Sequence, residues 1–184
     1  MKLMKLKTVV MVLAILAMFS APSWAGSFAT YGSYWNSKDA DNSWGAGVDF
    51  GFNFVKHLEL EFHGTYYSSF KNDNFAGTST SIDLTVIPVD GGLKWDFLPD
   101  KTVNPFVGGG VSYYFLSTTP GSVDDQSGVY LSAGLDAGGK TGTRFFGEVM
   151  WRKVDTSVSS GSFEQDVNFD GLSLNAGVVW RWGK

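Results

Sequence analysis

Ser43-Trp44-Gly45-Ala46-Gly47-Val48-Asp49-Phe50-Gly51-Phe52-Asn53-Phe54 splits into two rows when taken two residues at a time. Trp44, Ala46, Val48, Phe50, Phe52 and Phe54 form an apolar row, and Gly45, Gly47, Asp49, Gly51 and Asn53 lie between them. From Gly171 to Trp182 the same split gives Leu172, Leu174, Ala176, Val178, Trp180 and Trp182 against Ser173, Asn175, Gly177, Val179 and Arg181. A period of two marks a strand whose two faces meet different media. No segment with a helical period separates such stretches in residues 26–184.

Outward from this stretch the chain reads as eight strands, at about 28–37, 43–54, 58–70, 82–97, 105–117, 128–138, 144–154 and 171–182. The connections alternate in character. Val55-Lys56-His57, Leu98 to Asn104 and Gly139 to Thr143 are tight, whereas Lys38 to Asn42, Lys71 to Ser81, Thr118 to Ser127 and Asp155 to Asp170 are polar and mostly longer. Short turns on one rim and long loops on the other are the pattern of outer-membrane barrels. An even strand number places both ends of the barrel at the short-turn, periplasmic rim. The predicted fold is all-β: an eight-stranded antiparallel up-and-down transmembrane β-barrel. In the fourth strand the apolar phase of Ile82, Leu84 and Val86 differs from that of Val89, Leu93, Trp95 and Phe97, which predicts a β-bulge at Ile87-Pro88. The phase of the first strand stays open.

Residues 1–25 read as a cleaved signal peptide and 26–184 as the barrel domain. Lys2, Lys5 and Lys7 precede an apolar run from Thr8 to Phe19 and a Ser23-Trp24-Ala25 cleavage site. The alternative, a membrane anchor, meets an apolar run shorter than the roughly 20 residues a helical span needs. Losing the three lysines makes the net charge, −4 for the full sequence, more negative still, which argues against nucleic acid as a partner. Charged residues are 17% of the chain, against about 25% in soluble domains, so a large part of the surface meets something other than water. The chain has no cysteine, which removes disulfides and thiol chemistry.

Aromatic residues collect near strand ends. Trp95, Phe97, Trp180 and Trp182, with Phe52, Phe54 and Phe145, fall near the short-turn rim; Trp35, Trp44, Tyr66, Tyr113 and Trp151, with Phe70 and Phe115, fall near the loop rim. Two such girdles are expected at the headgroup levels of a bilayer. The charges sit in the other row: Asp49, Glu59, Glu61, His63, Asp90, Lys94, Asp96, Asp136, Glu148, Arg152 and Arg181. A basic group on the lipid side near mid-membrane costs roughly 2–4 kcal/mol. Several of them would exceed a domain's net stability of about 5–15 kcal/mol. This row therefore faces a lumen just wide enough for side chains. Lys94, Arg152 and Arg181 are the expected cations, paired with Glu61, Glu148 and Asp90 in a structural plug; a proton or ion pathway is the alternative.

Ile87-Pro88-Val89-Asp90-Gly91-Gly92-Leu93-Lys94-Trp95-Asp96-Phe97, with Asn104 to Val111 after it, resembles the fourth strand and its continuation in the small outer-membrane barrels of the OmpA, OmpX and opacity type. Gly147-Glu148-Val149-Met150-Trp151-Arg152 is similar to their seventh strand, and Ala176 to Trp182 to their closing strand. The resemblance spans nearly the whole of 26–184. It implies an outer-membrane location in a Gram-negative bacterium, contact with lipid and lipopolysaccharide, and insertion by the barrel-assembly machinery. Gly183 and Lys184 follow Trp182, a departure from the terminal aromatic that this machinery reads.

Other chemistry is discounted. Gly134-Leu135-Asp136-Ala137-Gly138-Gly139-Lys140-Thr141 has phosphate-loop spacing, yet a strand follows where the phosphate site needs a helix N-terminus. His63-Gly64-Thr65, near Glu61, holds the residue types of a hydrolytic constellation but points inward. No cluster has metal-ligand spacing along the chain. Asp124, Asp125, Asp155, Glu164, Asp166 and Asp170 read as solvated loop acids rather than cation bridges to lipopolysaccharide. The expectation is a monomer with no cofactor, metal or catalytic activity, and a structural or surface-interaction role through its loops toward an extracellular ligand. The competing readings are a narrow cation-preferring channel, a lipid A-modifying enzyme and a soluble lipocalin-like binder of apolar ligands.

Overall fold

The computed structural model describes residues 25–37, 42–72, 82–119, 126–139, 142–154, 157–160, 163–166 and 170–183. Eight strands form the staves: β1 (Gly26–Ser37), β2 (Ser43–Val55), β3 (Leu58–Asn72), β4 (Ile82–Asp96), β5 (Val103–Thr119), β6 (Gln126–Gly138), β7 (Gly142–Val154) and, after a small hairpin, β10 (Gly171–Trp182). The hairpin, β8 (Ser157–Ser160) and β9 (Phe163–Asp166), lies in the last long connection, where the sequence pattern predicts only a loop. Neighbouring staves pair antiparallel in chain order, and β1 closes on β10 from Gly26↔Trp182 to Ser37↔Gly171. The leader up to Trp24, together with Lys140, Thr141, Asp124, Asp125 and Asp155, lies outside the described residues.

Alternation decides what lies inside. In β7, Arg144, Glu148, Met150, Arg152 and Val154 are buried while Phe145, Val149 and Trp151 are exposed on the outer face. In β6, Tyr130, Ser132 and Asp136 point in, and Val129, Leu131 and Leu135 point out. The open phase of β1 resolves the same way: Ser27, Ala29, Tyr31, Ser33, Trp35 and Ser37 face the lumen. Trp35 therefore leaves the girdle it was assigned to. It is 1% exposed and packs with Tyr67, Val86, Tyr114 and Val154 in an apolar cluster inside the loop end of the barrel.

The expected bulge at Ile87-Pro88 is absent. β4 pairs with β5 in one register from Asp83↔Thr119 to Asp96↔Phe106, and the irregularity lies in β3, between Tyr67 and Phe70. Val86 is apolar but points inward because the loop end of the lumen is itself apolar. The apparent change of phase in β4 is thus a change in what the lumen is made of.

The outer face is apolar. Val48, Val89, Val107, Val111, Val129, Leu131, Val149 and Leu174 form a band between aromatic ends. Trp95, Phe97, Phe145, Trp180 and Trp182 are exposed near the tight turns, as are Trp44, Tyr66, Tyr113, Phe115 and Trp151 toward the loops. Phe28 packs against Phe50 and Trp180 at one end (4.9 and 5.8 Å between ring centres), and Tyr34 against Trp44 at the other (4.9 Å).

Candidate functional site

The lumen is where this sequence concentrates its chemistry. Glu59, Glu61, His63, Asp90, Lys94, Asp136, Glu148 and Arg152 are all buried there, and the Arg181 side chain is 11% exposed. Strand pairing sets their heights: Asp49 lies opposite His63, His63 opposite Asp90, and Glu59 opposite Lys94.

The turn end is a floor of ions. Arg144 donates Nε to Asp136 Oδ1 at 2.7 Å. It also donates to the carbonyls of Lys101, Thr102, Gly138 and Gly139, so one guanidinium fastens two tight turns. Arg181 Nη2 reaches Asp136 Oδ2 at 2.7 Å and Asp96 Oδ2 at 3.5 Å. Asn104 Nδ2 donates to Asp96 at 2.8 Å and to Asp136 at 3.3 Å.

Above it, Lys94 Nζ lies 3.2 Å from Glu59 Oε2 and 3.6 Å from Glu61 Oε2, while Ser27 Oγ donates to Glu59. At mid-height His63 Nε2 is 3.3 Å from Glu61 Oε1 and 3.8 Å from Asp49 Oδ1. Tyr130 donates to Glu61 at 3.2 Å, and Asn175 Nδ2 to Glu148 Oε2 at 2.8 Å. Higher still, Arg152 makes a two-pronged bond to Asp90, with Nη1 and Nη2 each 2.8 Å from a carboxylate oxygen. Its guanidinium sits 5.7 Å from the Trp35 ring, joining the ionic layers to the apolar cluster above. Such charge-assisted, bidentate bonds hold geometry tightly in a low-dielectric interior.

Lys94, Arg152 and Arg181 all lie in the lumen, and their partners come from several strands. Arg152 takes Asp90, Arg181 takes Asp136 and Asp96, and Glu148 is held by an amide rather than a cation. Arg144 is fully buried and was missed, although it has the same parity as Glu148 and Arg152. Tyr31, Tyr67, Tyr130, Asn104 and Asn175 were missed too; strand parity was their only signal.

The lumen glycines do not leave space. A Cβ on Gly47 would overlap the Tyr31 ring, one on Gly134 would overlap the Phe106 ring, and one on Gly45 would meet the Tyr67 ring at 2.6 Å. Each absent side chain is the seat of a large one from a neighbouring strand. Among the described residues, the lumen retains a cavity of about 20 Å³ bordered by Tyr31, Asp49, Glu61 and His63 at mid-height and by Lys94, Asp136 and Arg181 toward the floor. That is room for about one water molecule.

The histidine's surroundings also differ from a hydrolytic set. Thr65 Oγ1 is hydrogen-bonded to Tyr31 OH at 2.8 Å, while His63 faces carboxylates. The phosphate-loop match ends β6, with Gly138 N bonded to Thr102 O. No helix among the described residues is long and apolar enough to cross a membrane, which leaves spanning by strands untouched.

Comparison with solved structures finds the same architecture. The outer membrane protein OprG from Pseudomonas aeruginosa superposes with a TM-score of 0.73 at 15% identity, covering 88% of this chain and 97% of that one. Neisserial surface protein A gives 0.65 at 16% identity, covering 86% and 97%. A major outer membrane protein from Thermus thermophilus gives 0.55 at 12% identity, covering 86% and 99%. At such identities the likeness establishes the fold. Comparison by sequence with curated proteins finds no match. The outer membrane protein beta-barrel domain family matches residues 11–181, nearly the full length, and this chain belongs to that family of small barrels set in the outer membrane.

Proposed function

We propose that this outer-membrane barrel is a closed, non-catalytic scaffold whose role is structural or interactive, carried by the loops at its outer rim. The observation that carries the reading is the filled lumen. Ion pairs and backbone carbonyls bound to Arg144 close the turn end, the Trp35 cluster closes the loop end, and aromatic rings occupy the glycine seats between them. A residual cavity of about 20 Å³ is far short of a continuous water path.

In this reading the leader is removed after Ala25, the barrel-assembly machinery inserts a monomer, and the loops meet lipopolysaccharide or an extracellular ligand. A lipid A-modifying activity predicts altered lipid A mass spectra on overexpression, and our reading predicts none. A narrow cation-preferring channel is the second reading, favoured by the excess of buried carboxylates over basic groups. Planar-bilayer recording separates the two. Our reading predicts no steady openings; steady cation-selective openings that diminish in Glu61→Gln would overturn it.

A further inference from the structure

The lumen's charges do not balance. Among the described residues seven carboxylates are buried, against Lys94, Arg144, Arg152 and the nearly buried Arg181. Uncompensated charge in such an interior is costly. The unmatched carboxylates are not spread evenly. The floor acids are bound by Arg144 and Arg181, and Asp90 by Arg152. What is left, among the described residues, is Asp49, Glu59, Glu61 and Glu148 with Lys94 as their one cation. Of these, Asp49 and Glu61, with His63, each offer a ligand atom, all three within 4.8 Å of one another.

We propose that Asp49, Glu61 and His63 form a binding site for a divalent transition-metal ion of the zinc class, inside the lumen. Three observations point to a ligand rather than to a finished ion pair. Both carboxylates stand within ion-pair reach of Nε2, yet Asp49 Oδ1, buried and facing the cavity, has no hydrogen-bond partner, nor has His63 Nδ1. All three side chains are at least nine-tenths buried, and they border the lumen cavity. The spacing from the histidine nitrogen also fits. Two donors on one four-coordinate ion, each bonded at about 2.1 Å, stand about 3.4 Å apart. Here the separations from Nε2 are 3.3 and 3.8 Å.

An imidazole nitrogen with two carboxylate oxygens suits Zn²⁺, Co²⁺ or Mn²⁺, whereas Ca²⁺ asks for six to eight oxygens and Mg²⁺ for a hydrated octahedron. Sequence spacing hid the set because Asp49 comes from β2 and joins the β3 pair Glu61 and His63 only through the pairing Asp49↔His63. The cavity these side chains border has room for about one water molecule. Lys94 borders the same cavity and pairs with the other Glu61 oxygen, 3.6 Å from Oε2, leaving Oε1 for the ion. The inference needs only the inward placement of these three side chains, so a barrel that conducts would leave it standing.

The test uses the full barrel folded in detergent, stripped with chelator, then dialysed against Zn²⁺ or Co²⁺ with a Mg²⁺ and Ca²⁺ background. The expected result is one ion per barrel, with more than about tenfold weaker retention in His63→Gln and Asp49→Asn and none lost in the loop variant Glu164→Gln/Asp166→Asn. Folding of each variant is checked by its heat-modifiable gel mobility. If the lumen variants do not fold, the wild-type Co²⁺ spectrum decides: intense visible absorption of a four-coordinate ion supports the site. The weak spectrum of six-coordinate Co²⁺, no stoichiometric uptake, or loss only in the loop variant overturns it.

Discussion

Arg152 shows how much one lumen residue carries. Its two bonds to Asp90 and its position 5.7 Å from the Trp35 ring tie the ionic layers to the apolar cluster. Removing one partner leaves the other charge buried alone, at a cost of about 3–5 kcal/mol. Arg152→Met and Asp90→Leu, each alone, should destabilise the folded barrel by that amount in urea titrations, and the double variant should recover most of the loss. Additive losses in the double variant would show that the pair is not coupled. Gly51 makes the steric case. A Cβ there would collide with the Glu59 carboxylate and Ser27 Oγ, while one on outward-facing Gly147 meets nothing within 4 Å. Gly51→Val should destabilise by about 1–3 kcal/mol through overpacking, and Gly147→Val should leave stability within about 0.5 kcal/mol. Equal effects at the two sites would contradict the inside–outside assignment.

A single stave carries the same argument over its length. β6 presents Val129, Leu131, Ala133, Leu135 and Ala137 to the outer face, with Tyr130, Ser132 and Asp136 behind them. An arginine moved along the outer row should cost about 2–4 kcal/mol at Leu131, near mid-membrane, and about 0–1 kcal/mol at Ala137, near the turn rim. Unfolding in lipid vesicles measures both, and a profile without depth dependence would place this row away from the acyl chains. Elements of this kind were legible in the sequence because lipid and lumen impose opposite chemistry on adjacent residues. That is why β2 and β10 could be read directly. β1 could not: Tyr31, Trp35 and Tyr34 are aromatic on both faces, so its two rows look alike. β4 misled for the converse reason, since Val86 is as apolar as its outward neighbours but belongs to the inner cluster. Period-two patterning reports a contrast between faces, and it fails where a lumen turns apolar.

At the scale of the whole molecule, strand number, order and closure followed from patterning and turn spacing, and the outer-membrane setting followed with them. The candidate site was less legible. Parity put Glu61, His63, Lys94 and Arg152 indoors, but which charges meet depends on the register between strands distant in sequence, such as Arg152 with Asp90. Gly47 depends on register in the same way: the Tyr31 ring of β1 occupies the place its side chain would take. The central claim is that apolar side chains face lipid and the charged row faces a filled interior. It is tested most directly by single cysteines, which this cysteine-free chain permits without background. Cysteines replacing Leu131 or Leu174 should take a fluorescent label that nitroxides on lipid acyl chains quench, while those replacing Ser132 or Ser173 should stay unreactive until the barrel unfolds. Acyl-chain quenching at Ser132 and Ser173, with Leu131 and Leu174 shielded, would contradict the account.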